Sequence, residues 1–399
     1  MSILPETAVP DTFEYHHAGS ELIYGRGSAS RLGPLLADRG LERALVVCGR
    51  NAGANRDVMG PVERGLGDRL AGVFDGTTPE KLAETAYEAV EAVRAVDADV
   101  LVGVGGGSSL DIARQASVLA DDGRSLADLR SELADTGRVG RLEADDPRPV
   151  VVVPTTLPGA DVSSGGSLEV ASAADSPTGQ PVRTSGSVTP FAALYDPALF
   201  ETTPHGALAG SAMNGFNKGV ETLYAKDATP ITDATAMHGL GLLADGVRRL
   251  DDPDGIERAI VGAVLVQFEN RTSVLHGFGH GFSRRYDVQQ GVAHAVVTPA
   301  VLQYLFERVD GRRDLIARGL GLDTAGLTPE AVAAAVVSEV ADLRDALGLP
   351  TRIRDLPGTD RDDLPAIAAF VVDDPVMRRA PPELDATADD LEGVLREAW

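Results

Sequence analysis

The 399-residue sequence predicts an α/β domain over residues 1–200, built on a parallel, doubly wound sheet, followed by an all-α domain over residues 201–399. Three observations carry this. Short apolar runs alternate with helical stretches in the first half. β-rich runs nearly vanish after Asp196-Pro197. Asp-Pro and Thr-Pro pairs break any regular pattern near residues 195–205, which marks the seam.

The elements follow in order. Residues 43–48, Arg-Ala-Leu-Val-Val-Cys, form a β-rich run ending at Gly49. Leu82, Ala86, Val90 and Val93 recur at three- to four-residue spacing and predict a helix over 79–96. Asp99-Val100-Leu101-Val102-Gly103-Val104 is apolar enough for a strand covered on both faces. Gly105-Gly106-Gly107-Ser108 follows, then a helix from Ser109 to Leu119. The charged segment 120–148 reads as a helix plus a surface loop, and Val150-Val151-Val152-Val153 as another buried strand stopped by Pro154. Beyond the seam, helical spacing recurs over 206–224, 230–249, 256–276, 293–308 and 329–347.

Composition narrows the function. Hydrophobic residues make up 43%, enough for packed cores. Acidic residues outnumber basic ones 60 to 36, and the net charge of −24 repels nucleic acid and anionic membrane surfaces. Only Lys81, Lys218 and Lys226 are lysines, against 33 arginines. Excess carboxylate with scarce lysine suggests a protein adapted to high salt, where counterions screen self-repulsion. Cys48 is the single cysteine, so neither an intrachain disulfide nor a cysteine-based zinc site is expected. Met1 to Glu6 lack a basic stretch leading into an apolar core, and no run reaches the ~18 apolar residues of a membrane span. A cytoplasmic protein is the expectation.

The glycine loop is the first functional signal. Residues without Cβ let a ligand approach the backbone, and the following helix offers unpaired N–H groups that suit a phosphate. The loop lacks the last glycine of the usual dinucleotide fingerprint. Ser108 and Asp111 have the spacing of a capping box, so a purely structural turn accounts for the same residues.

Further motifs arrive in order. Gly-Gly-Gly-Ser-Ser-Leu-Asp-Ile-Ala-Arg spans 105–114, and Pro154-Thr155-Thr156 precedes Gly159-Ala160-Asp161-Val162-Ser163. Tyr195-Asp196-Pro197, the Met213–Ala225 segment, His276-Gly277-Phe278-Gly279-His280 and Gly291-Val292-Ala293-His294-Ala295 complete the set. Together they resemble the iron-dependent (group III) alcohol dehydrogenase superfamily over nearly the whole chain. The two-residue spacing from Thr156 to Gly159 and the Asn at 214 resemble the maleylacetate reductase branch. The resemblance implies a Rossmann-like dinucleotide-binding domain and a helical catalytic domain, the fold shared with dehydroquinate synthase, with a nicotinamide in the cleft between them. It also implies that Gly105, Gly106, Gly107 and Ser108 contact the cofactor's pyrophosphate, that Asp111 belongs to the cofactor site, that Thr155 and Thr156 lie against phosphate or ribose, and that the protein is a homodimer or larger.

The end of the first strand normally carries an acid that bonds the adenine-ribose hydroxyls. Gly49, Arg50 and Asn51 stand there instead, a set that suits the 2′-phosphate of NADP(H), with NAD(H) the alternative and a solvated Arg50 the plainer account.

By the resemblance, a divalent metal would take an Asp, a His four residues later, and two more His. The aligned residues are Asn214, Lys218, His276 and Gln290. Only His276 keeps a ligand type, since amides are weak donors and an ammonium repels a cation. No tightly bound catalytic metal is expected. In that frame Lys218 becomes the electrophile that polarises a carbonyl. A helix lysine paired with Glu221 is the simpler alternative. His280 becomes the proton donor, His276 its support, and Asn214 and Gln290 bond substrate oxygens. Arg284 and Arg285 clamp a carboxylate or phosphate on a small, acidic substrate, or pair with a surface acid. The reading is an NAD(P)-dependent oxidoreductase acting on a carbonyl or enoate. The rivals are a silent dinucleotide-binding regulator and a metal-dependent dehydrogenase or synthase of the same fold.

Overall fold

The computed structural model describes residues 13–17, 19–157, 159, 161–177 and 181–399; the N-terminal stretch read above for a leader lies outside them. The described residues divide into two compact units. One runs to Thr156 and resumes at Asp161 to end at Thr203; the other holds Pro204–Trp399 together with Leu157 and Gly159.

The first unit contains strands β1 (Phe13–His17), β2 (Ser20–Tyr24), β3 (Ala44–Gly49), β4 (Leu70–Thr77), β5 (Val100–Gly105), β6 (Val150–Pro154), β7 (Leu168–Ala171), β8 (Val182–Thr184) and β9 (Ala192–Tyr195). Seven form one sheet in the order β1-β2-β9-β6-β5-β3-β4. β1 pairs antiparallel with β2, and every other neighbour is parallel. β7 and β8 form a separate antiparallel pair. β3, β5 and β6 are central, and Val46, Val102 and Val151 are fully buried. This is why those three strands read as unbroken apolar runs. The half-exposed edge strand β4 carries Asp75, Gly72 and Gly76, a mixture that hides it from an apolar-run search.

The loop helices are longer or shorter than spacing alone suggests. The helix after β5 is Gly107–Asp122, and the one expected over 79–96 is Ala83–Ala95.

In the second unit, no described residue lies in a strand. Proline in the first turn and a side-chain cap start several of its helices: Thr229 before Pro230–Val247, Asp252 before Pro253–Gln267, and Thr328 before Pro329–Ala346. The single helix expected over 256–276 is two. The first stops at Gln267, Glu269 takes a left-handed φ of 57°, and a second helix spans Val274–Ser283. The Asn270 side chain donates to the Gln267 carbonyl at 2.7 Å, a local bond that competes with continuing the helix. That break places His276 in the first turn of its own helix.

Candidate functional site

The glycine loop and the two threonines come together in the α/β unit. Gly105 ends β5 with φ 126°, a conformation that side chains resist, and a Cβ there would lie 3.3 Å from Ser109 Oγ. Gly106 caps the Gly107–Asp122 helix without a side-chain bond, and a Cβ on Gly107 would meet nothing within 4 Å. The Thr155 N–H donates to the Gly105 carbonyl at 2.9 Å, and Thr156 Cγ2 lies 3.5 Å from the position of a Gly106 Cβ. The loop is therefore walled on one side by Thr156 and open at Gly107.

The capping box expected from Ser108 and Asp111 does not form. The helix starts one residue before Ser108, whose hydroxyl donates to the Pro79 carbonyl at 3.2 Å. Asp111 instead binds Lys81 Nζ at 2.7 Å and the Arg114 guanidinium. Burial opposes its ionisation, but the two cations hold its carboxyl below the usual range. Both Asp111 oxygens are thus committed inside the protein, and Lys81 is a neighbour that sequence reading passed over.

Gly49 ends β3 as expected, and Arg50 and Asn51 are exposed on the short helix Arg50–Ala54. The acid missing at Gly49 has a counterpart one strand away. Asp75 on β4 has its Cβ 3.0 Å from where a Gly53 Cβ would sit. Parallel pairing of β3 with β4 brings it there, which no local motif announces.

The second cluster lies in the helical unit. Helix His205–Tyr224 carries Asn214, Lys218 and Glu221 at three- to four-residue spacing, hence on one face. Helix Val274–Ser283 carries His276 and His280, and helix Gln290–Arg308 carries Gln290 and His294. The Leu157 N–H donates to Ser211 Oγ at 3.0 Å, tying the 157–159 segment to the first of these helices. A Cβ on Gly159 would lie 3.0 Å from Asn214 Nδ2 and 3.8 Å from Lys218 Nζ. Lys218 is 6% exposed.

Glu221, the sequence's simpler partner for Lys218, is fully buried and bound elsewhere. It accepts the Ser273 and His276 N–H groups, each at 2.9 Å, and pairs with His276 Nδ1. It therefore caps the Val274–Ser283 helix from a neighbouring helix. Burial pushes its carboxyl up to about 8, against the pull of those N–H groups. Burial likewise lowers His276 and His294 well below the usual histidine range, and the Lys218 charge adds to both shifts. The two imidazoles lie edge to face, 4.7 Å between ring centroids, and His280 is 6.3 Å from His276.

Several buried polar atoms in this cluster have no partner among the described residues: Asn214 Oδ1, His276 Nε2, Gln290 Nε2 and both ring nitrogens of His294. Buried polar atoms are normally hydrogen-bonded, and here the exceptions gather on three neighbouring helices. The metal donor set is poor. His276 offers only Nε2, because Nδ1 is held by Glu221. Asn214 offers an amide oxygen, and Lys218 adds a cation felt at His276 and His294. Among the described residues, no three His, Cys, Asp or Glu side chains converge as metal ligands do. Of the four positions aligned with the family's metal ligands, only His276 offers a strong donor for a divalent ion.

The arginines after the histidines are engaged within the unit. Arg285 pairs with Asp363, and the Arg284 guanidinium lies 4.7 Å over the Phe370 ring. Asp374, which sequence reading did not single out, bonds His280 Nδ1 at 2.9 Å.

The family model for iron-containing alcohol dehydrogenase matches residues 19–197, and that for the C-terminal part of the same family matches residues 208–399. The chain is 27% identical to maleylacetate reductase of Pseudomonas knackmussii over 97% of both chains. It is 24% identical to lactaldehyde reductase of Escherichia coli K12, over 94% of this chain and 97% of that protein. The crystal structure of a 1,3-propanediol oxidoreductase superposes with a TM-score of 0.83 at 23% identity, over 95% of this chain and 97% of that one. With both family models spanning its two units, the chain belongs to the iron-containing alcohol dehydrogenase family, a family of oxidoreductases.

Proposed function

We propose that this protein is an NAD(P)-dependent oxidoreductase that interconverts a carbonyl or enoate compound and its reduced form, with Lys218 in place of a tightly bound metal. The observation that carries the reading is the burial of Lys218 beside Asn214 and Gly159, close enough to His276 and His294 to depress both. A fixed ammonium in a water-poor site stabilises the negative charge that develops on oxygen during reduction. A bound nicotinamide supplies or accepts the hydride. Gln290 Nε2 donates to a substrate oxygen, Asn214 Oδ1 accepts from a hydroxyl, and His280 delivers the proton that neutralises the alkoxide.

The cofactor reading is NADP(H), supported by the exposed Arg50 and the glycine at 49. Asp75 is the observation that favours NAD(H), because a carboxylate repels a 2′-phosphate. NADPH and NADH titrations of wild type and Arg50→Ala decide between them. A ratio of affinities unchanged by the substitution removes the NADP(H) argument. The net charge of −24 further supports adaptation to high salt.

The Lys218→Met variant tests the electrophile. It should bind the dinucleotide as wild type does and lose about 10²–10³-fold in kcat, the scale of removing one oxyanion-stabilising group. Full turnover in the variant, or a stoichiometric divalent metal in the purified wild type, sinks the proposal. A wild type that binds dinucleotide tightly yet reduces no aldehyde, ketone or enoate makes the protein a regulator.

A further inference from the structure

Three imidazoles crowd the helical cluster, and their surroundings differ. His276 and His294 are buried, at 5% and 0% exposure, while the His280 side chain is 30% exposed. The two histidine–carboxyl pairs differ as well. Glu221, beside His276, is raised to about 8 by burial, which favours its protonated form. Asp374, beside His280, is held below the usual carboxylate range: burial opposes this, but the bonds from His280 and the Val376 N–H prevail. Groups whose surroundings push their protonation apart identify which one exchanges a proton.

Asp374 is well placed to steer His280. It lies 94 residues further along the chain, with a side chain only 4% exposed. Its Oδ2 meets His280 Nδ1 at 2.9 Å, and its Oδ1 accepts the Val376 N–H at 3.0 Å, capping the short turn Pro375–Arg379. That turn packs against Gly277 of the histidine helix, where a Cβ would stand 3.7 Å from Val376 and 3.8 Å from Met377 Sδ. The carboxylate is thus fixed from two sides before it meets the imidazole. The other charged or titratable groups acting on this pair are His276 on the same helix, Arg284 at that helix's C-cap, Glu221 on His205–Tyr224 and His294 on Gln290–Arg308.

We propose that Asp374 is a positioning residue for His280: it accepts the Nδ1–H and locks the ring, so that the Nε2–H is delivered to the substrate oxygen. The inference rests on the reading of His280 as proton donor. In the step, the Nε2–H bond breaks and an O–H bond forms on the alkoxide. Nδ1–H stays with Asp374, and the neutral ring regains its proton from water.

Asp374→Asn tests this, because Asn still caps the turn while removing the charge. The expected result is a 10–100-fold loss in kcat with unchanged cofactor affinity, the usual effect of losing an outer hydrogen-bond partner. The pH profile of reduction should differ from that of wild type, because the proton donor has lost the partner that orients it. In a His280→Gln background, Asp374→Asn should cost nothing further, because a positioning residue acts through what it positions. A wild-type pH profile in Asp374→Asn, or an equal loss with and without His280, overturns the proposal. Wild-type turnover in His280→Gln overturns the proton-donor reading itself. Asp374→Ser keeps a capping oxygen but not the carboxylate, and wild-type kcat there overturns the proposal.

Discussion

Glu221 sits at the centre of the helical cluster with no exposed surface. Its carboxyl is raised from 4.5 to about 8 by burial. The linkage has a definite sign. Between pH 4.5 and 8 the folded protein holds a proton that the unfolded chain has released, so this group's contribution to stability is full below 4.5 and declines as pH rises through 8. Glu221→Gln keeps an acceptor for the Ser273 and His276 N–H groups but cannot ionise. The gap in Tm between wild type and variant should therefore change steadily over that window, with wild type losing ground as pH rises. A gap independent of pH would show that Glu221 is ionised in the folded protein. At this same level Lys218 and Asp374 share a property: each is a charged residue buried in the same helical unit.

The helices set that company by approaching closely at glycines. Gly279 faces His294, and a Cβ there would lie 2.0 Å from His294 Nε2. Gly291 faces the neighbouring helix, and a Cβ would fall 1.7 Å from the Gly210 carbonyl oxygen. Gly279→Ala should cost about 1–3 kcal/mol through overpacking, and trimming the imidazole in Gly279→Ala/His294→Ala should recover much of it. Gly291→Ala meets backbone, so no side-chain deletion should rescue it. Urea midpoints of these variants measure both expectations. Equal losses with and without His294 would mean that the two helices can slide apart at Gly279. The same close approach explains why the helix break at Gln267 matters, since a continuous helix would not start its N–H groups at Glu221.

For the molecule as a whole, the net charge of −24 dominates. Self-repulsion at this density weakens when the screening length falls from about 10 Å at 0.1 M salt to about 3 Å at 1 M. Tm should therefore rise from dilute buffer to molar KCl, and a flat or falling response would count against salt adaptation. No described helix is long and apolar enough to cross a membrane. The parallel sheet was legible because β3, β5 and β6 are buried on both faces and so carry no polar alternation. β4, β7 and β8 were not, because short or half-exposed strands leave little periodic signal. The glycine loop was legible as a local strand–turn–helix pattern, whereas its supposed cap was not what spacing implied.

Sequence alone showed the α/β unit followed by helices and the glycine loop between a strand and a helix, because each of these is a matter of residue type at short range. Tertiary structure decided that Asp111 binds Lys81 and Arg114, that Glu221 caps a foreign helix and pairs with His276, and that Asp374 bonds His280. Those partners lie up to 94 residues apart. Burial and long-range pairing set the charge on each group, and neither is written in local spacing.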